Sequence, residues 1–302
     1  MKFTGTLAAS TLVGALLVGG TLWKRGPDAE LTDLEEYGEE ILEHTTAYLG
    51  PDVADPAMRY AGNRLACGSC HLGAGAEPGT LSLATAIERY PRNSPRSGGK
   101  ETIEDRINGC MMRSMAGKPL PEDSREMRAL VAYLRRLAER NGSLSPSLRS
   151  AAEPPEFNTP PRKADLGAGE RVFAARCAAC HQKDGQGLPA SADIRDGFLF
   201  PPLWGPNSFN DGAGMHRVLT AARFIKARMP LGNPTLTDAE AFDVAAFINA
   251  QPRPHMEHLD QDYPDKTKKP VDAPFPPFAD PFPLEQHQFG PFQPIEAFYK
   301  KK

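Results

Sequence analysis

The chain has 302 residues and a formal net charge of −3, room for two domains at ~150 residues each. That balance gives no global footprint for nucleic acid or another polyanion. Proline (30) and glycine (27) are abundant, which favours short helices joined by long, anchored loops over a regular bundle.

Residues 1–27 open with Lys2, an apolar stretch from Phe3 to Trp23, and then Lys24 and Arg25. This reads as an export signal or, since a span needs ~20 apolar residues, as an uncleaved N-terminal membrane anchor. Either reading sends the remainder to the periplasm. Cysteine usage agrees, because free thiols are liabilities in oxidising compartments. Four of the five cysteines form Cys-Gly-Ser-Cys-His at 67–71 and Cys-Ala-Ala-Cys-His at 177–181. The fifth, Cys110, stands alone.

The first unit is expected over 28–140. An acidic helix around 31–48 precedes its haem string. Cys-x-x-Cys-His is a c-type haem attachment string: Cys67 and Cys70 reach the two vinyl groups and His71 supplies the proximal iron ligand. A zinc site would need further ligands at its own spacing. Past His71, Cys110, Met111, Met112 and Met115 are candidates for the sixth iron position. An unpaired cysteine in an exported chain needs a reason, and an iron-bound thiolate is protected, with a lowered pKa; a small buried apolar cysteine is the bland alternative. Arg89, Arg92, Arg96, Lys100, Arg106, Arg113 and Lys118 fall within about thirty residues in a mildly acidic chain, with Glu88, Glu101, Glu104 and Asp105 balancing some of them as a solvated surface. Guanidinium groups offer planar paired donors to an oxoanion. A closing helix is expected over 121–140, with Met127, Leu130, Val131, Leu134 and Leu137 as its apolar stripe.

Residues 141–164, rich in Ser, Pro and small residues, read as a linker. The unit then repeats over 165–251. Gly169 and Phe173 share a helical face, Cys177 and Cys180 anchor a second haem, and His181 is its proximal ligand. Met215, His216, Lys226 and Met229 are candidates for the sixth position; Met229-Pro230 has the Met-Pro form of small class I cytochromes. Thr237 and Glu240 make a capping box for a closing helix over 238–250, with Phe242, Ala245, Ala246 and Ile248 on its apolar side. Residues 252–302 are dense in Pro and Phe with no helical period. Disordered segments are poor in aromatics, so this extension is expected to pack over the domains. The expected fold is all-α: two class I cytochrome c-like domains joined by a linker, with a long irregular C-terminal extension, binding two covalent haem c groups.

These residues resemble the dihaem thiosulfate dehydrogenases, or tetrathionate synthases. The resemblance rests on the strings at 60–71, 106–110 with Arg113-Ser114, 177–181, 204–215, 224–230 and 285–292. It implies an active-site haem ligated by His71 and Cys110 and an electron-transfer haem ligated by His181 and Met229. It implies substrate contacts at Arg96, Arg106 and Ser114, with Glu77 as the nearest match to an acidic group after the first haem string. The implied reaction couples two thiosulfates into tetrathionate and passes electrons to a small soluble cytochrome or another high-potential redox protein. Other readings are a cytochrome that transfers thiosulfate to a carrier cysteine, a plain dihaem electron-transfer module and a dihaem peroxidase.

Overall fold

The computed structural model describes residues 31–142 and 155–301. The expected export segment at 1–27 and the middle of the expected linker lie outside the described residues. Thr32–Lys302 form one compact body.

Its first half is built on two helices, α1 (Asp33–Glu43) and α4 (Arg125–Gly142), which pack on each other. Thr32 caps α1 through a capping box with Glu35. Between them lie α2 (Thr45–Leu49), the haem string, a hairpin of β1 (Arg92–Asn93) and β2 (Lys100–Glu101), and α3 (Ile103–Arg113). The acidic helix expected over 31–48 is thus two helices, broken at His44 (φ −120°, ψ 38°). It is also the first helix of the domain itself. The closing helix starts later than 121, because residues Pro121–Ser124 turn first and the Ser124 hydroxyl then accepts from Met127 N (3.1 Å). All five residues of its expected stripe are buried.

The second half repeats the arrangement with α5 (Leu166–Arg176), α6 (Ala178–His181), α7 (Val218–Arg228) and α8 (Asp238–Asn249). The Thr237–Glu240 capping box is present, and Phe242, Ala245, Ala246 and Ile248 are buried. A short hairpin, β3 (Leu188–Pro189) with β4 (Phe198–Phe200), follows the haem string.

One glycine in each half explains the repeat. A Cβ on Gly169 would lie 2.1 Å from the Asp243 carbonyl oxygen and 2.8 Å from Phe247 Cβ. One on Gly38 would lie 2.2 Å from the Ala129 oxygen and 2.8 Å from Tyr133 Cβ. Only glycine lets the two backbones approach so closely. Gly38 is therefore the counterpart of Gly169.

The C-terminal extension is packed, as expected, but not wholly irregular. It carries α9 (Leu284–Phe289) and α10 (Gln293–Lys300). Phe292 and Ile295 are fully buried in the second core. Pro294 stands in the first turn of α10, where its missing N–H costs nothing, so a proline-dense stretch conceals a helix. His287 stacks on Phe278 (3.7 Å) and faces the Val271 carbonyl and the Asp280 carboxylate at 2.8 and 3.0 Å.

Candidate functional site

The two haem strings are held by the same device. His71 Nδ1 donates to the Leu81 carbonyl at 2.7 Å, and His181 Nδ1 donates to the Pro201 carbonyl at 2.8 Å. Each bond fixes the tautomer and turns Nε2, with its lone pair, toward a metal position. Burial lowers the pKa of both imidazoles, His71 further through the Arg106 charge, so neutral rings are available as ligands. Cys67, Cys70, Cys177 and Cys180 are free of disulfides. Thr45 Oγ1 accepts from Cys67 N at 3.0 Å and so ties α2 to the first string. These residues fit covalent haem c: two unbridged thiols and one oriented imidazole in each string.

Cys110 lies on α3 within the electrostatic reach of Cys67 and Cys70, whose thiols burial pushes up to about 11 and about 12, with Cys110 adding to both. Arg106 stands one turn earlier on the same helix face. The nearby Cys110 sulfur, ahead of every other influence, raises the Arg106 pKa, and Tyr90 and Glu101 raise it further. Met111 and Met115 are core residues, each 2% exposed. Ser114 caps α3, its N–H bonded to the Cys110 carbonyl. The structure therefore groups Cys67, Cys70, His71, Arg106 and Cys110. Arg96 belongs to a second cluster, with Arg113, Asp262 and Tyr263. Arg113 Nη2 donates to Asp262 Oδ1 at 2.8 Å and Nη1 to the Gly212 carbonyl at 3.3 Å. Burial lowers the Arg113 pKa and the Arg96 charge lowers it further, which places the two guanidinium groups near each other.

The remaining basic residues near Cys110 divide in function. Arg92 pairs with Glu101 at 3.1 Å on the exposed hairpin, and Lys118 covers the Tyr60 ring at 4.9 Å. Glu77 binds Arg228 at 2.6 Å, joining the loop after His71 to the residue before Met229.

At the second site two candidates are occupied elsewhere. Both ring nitrogens of His216 face carbonyls, Asp211 at 2.8 Å and Asn249 at 3.2 Å. Lys226 Nζ donates to the Leu236 carbonyl at 2.8 Å and lies 3.4 Å from Asp238 Oδ1. Met229 ends α7 and packs against the second core, while Met215 packs against both cores.

Contacts between the halves converge on the end of α3. Asn63 Nδ2 donates to the Ser114 and Ser208 carbonyls at 2.8 and 3.0 Å, and Asn210 Nδ2 to the Met112 carbonyl at 2.8 Å. Sequence reasoning missed Asp262, Tyr263 and Tyr90. Nothing local marks them, since the first two arrive from the C-terminal extension and Tyr90 acts through a residue on another element.

Repeated Cys-x-x-Cys-His strings with oriented imidazoles, each in a helical domain, define a c-type cytochrome with covalently bound haem c. The chain is 40% identical over 240 residues to thiosulfate dehydrogenase of Allochromatium vinosum, covering 76% of this chain and 81% of that protein. It is 37% identical over 233 residues to thiosulfate dehydrogenase of Stutzerimonas stutzeri, covering 77% and 73%. The chain belongs to the thiosulfate dehydrogenase family, a family of oxidoreductases. Residues 59–141 match the SoxA/TsdA cytochrome c domain, and residues 164–248 match the family described as cytochrome C oxidase, cbb3-type, subunit III. A solved thiosulfate dehydrogenase (TsdBA) from Marichromatium purpuratum superposes with a TM-score of 0.66 at 33% identity. That match covers 78% of this chain, which spans 49% of the solved one.

Proposed function

We propose that this chain is exported to the periplasm, binds two haem c groups and oxidises two thiosulfate dianions to one tetrathionate dianion with release of two electrons. Each haem c supplies a one-electron acceptor. His71 and Cys110 would hold the first, beside the substrate; His181 and Met229 would hold the second, which would pass electrons to a small soluble cytochrome or another high-potential redox protein. The engagement of His216 and Lys226 by other groups supports Met229, and the orientation of both imidazoles supports the proximal assignments.

The observation that carries this reading is the half-buried Arg106 guanidinium one helical turn from the Cys110 thiol. A plain electron carrier has no use for a cation against its ligand. Joining two dianions requires positive charge where their sulfurs approach, aimed in advance and shielded from water. Arg106 supplies it at the reacting face, one helical turn from Cys110. Arg96 and Ser114 contact the outer oxygens of the substrate. Joining two thiosulfates through a new sulfur–sulfur bond releases two electrons, a count that two one-electron haem c groups would accept.

The test is anaerobic turnover of the holoprotein with thiosulfate and ferricyanide. The expected yield is one tetrathionate per two electrons, lost in Cys110→Ala while both haems stay attached. Failure of thiosulfate to reduce either haem across a range of pH overturns the proposal and leaves an electron-transfer module.

A further inference from the structure

Arg96 stands in the turn between β1 and β2, strands of two residues each. The turn is closed by Ser94 N to the Gly99 carbonyl (2.8 Å) and Gly98 N to the Ser94 carbonyl (2.9 Å). A hairpin this short has little stability of its own, so something else must fix where its tip points.

That support comes from the C-terminal extension. Tyr263 N donates to the Arg96 carbonyl at 2.8 Å, and Arg96 Nε donates to the Tyr263 hydroxyl at 3.4 Å. One residue thus holds Arg96 by both main chain and side chain. Pro264 lies against the same turn, 3.1 Å from where a Cβ on Gly98 would be. Asp262 Oδ2 is 3.9 Å from Arg96 Nε, and it is buried with no hydrogen-bond partner among the described residues. Tyr263 itself is 6% exposed at φ +57°. A bulky residue in the left-handed region is strained, and such strain persists where the surroundings over-determine it, commonly at functional sites.

We propose that Tyr263 and Asp262 are positioning residues that aim the Arg96 guanidinium and thereby set affinity for a sulfur oxoanion. The inference rests on the reading of the first haem domain as the thiosulfate site. Tyr263 and Asp262 engage the Nε side of the guanidinium. The guanidinium carbon lies over the Tyr263 ring at 5.8 Å, and the terminal nitrogens, with no hydrogen-bond partner among the described residues, form the planar fork that suits a sulfonate. Asp262 also neutralises the buried Arg113, so that Arg96 is left as the cation open to an incoming anion. The extension is therefore part of the substrate site.

A double-mutant cycle on the holoprotein tests this: Tyr263→Phe, Arg96→Gln and the pair, with KM and kcat for thiosulfate measured in each. Loss of one long hydrogen bond, 3.4 Å, at the ordinary worth of an intramolecular hydrogen bond predicts a KM about fivefold higher in Tyr263→Phe with kcat changed less than about twofold. In the Arg96→Gln background the same substitution should do nothing further. Asp262→Asn should raise KM in the same way and Asp262→Glu should restore part of it; this series replaces the cycle if Tyr263→Phe fails to take up both haems. An unchanged KM in Tyr263→Phe, or its full effect on top of Arg96→Gln, overturns the inference while leaving the active wild type intact. A wild type that does not oxidise thiosulfate removes the underlying reading and this inference together.

Discussion

Arg113 Nη2 donates to Asp262 Oδ1 at 2.8 Å, although the two residues are 149 positions apart in the chain. The pair ties the end of α3, the helix that carries Cys110, to the C-terminal extension. The side chains are 9% and 12% exposed, so neither partner is well hydrated. Removing one partner of a buried pair leaves an uncompensated charge, which typically costs 3–5 kcal/mol. Arg113→Ala should lower stability by about 3 kcal/mol in a guanidinium titration, whereas Arg92→Ala, on the exposed hairpin, should cost less than ~1 kcal/mol.

The glycines at the two helix crossings should tolerate no side chain. A Cβ at Gly38 or Gly169 falls 2.2 or 2.1 Å from a backbone oxygen of the facing helix, so the helices must separate to admit it. Overpacking of this kind costs ~1–3 kcal/mol or more. Gly38→Ala and Gly169→Ala should each lower the thermal midpoint and the yield of chains carrying both covalent haems, read as haem per protein. Normal stability in either would mean that the helices do not cross at these glycines.

Tyr133 predicts an alkaline limit. Its hydroxyl donates to the Ala74 carbonyl at 2.9 Å and to Glu39 at 3.2 Å. Burial and then the Glu39 charge raise its pKa above the ordinary phenol value of 10.0. The unfolded chain therefore releases this proton first. Its contribution to stability is full below pH ~10 and is lost as pH rises from there through the folded value. Stability measured against pH should decline above ~10 in the wild type and more shallowly in Tyr133→Phe; parallel curves would sink the assignment.

Arg106→Gln should separate charge from shape at the first haem. The substitution keeps a hydrogen-bonding side chain but removes the cation beside Cys110. Preorganised charge of this type is commonly worth ~10²–10³ in rate, so kcat/KM for thiosulfate should fall by about a hundredfold with both haems retained. A loss confined to KM, with normal kcat, would place Arg106 in binding alone.

Much of this protein was legible in the chain by itself. The Cys-x-x-Cys-His strings are chemically self-contained, because two thiols and an imidazole at that spacing meet one haem without help from distant residues. The apolar stripes of α4 and α8 and the Thr237–Glu240 box are likewise local, set by helical period and by the unsatisfied N–H groups of a first turn. Cys110 and Arg106 stand four residues apart in one basic segment, so their proximity is local, but the helix that puts them on one face emerges only in the structure.

Tertiary structure decided what depends on contact between distant segments. Gly38 looks like an ordinary helix-weakening residue until α4 lies against it. The break of the first helix at His44 and the helix starting at Gln293 answer to packing against neighbours, which overrides propensity. Above all, the sequence near Arg96 shows a cluster of like charges and cannot say which are neutralised. Folding brings Asp262 and Tyr263 to Arg113 and Arg96, and puts Glu101 on Arg92 and the Tyr60 ring beneath Lys118. Coulomb energy depends on distance and burial, and neither is written in a linear order of residues.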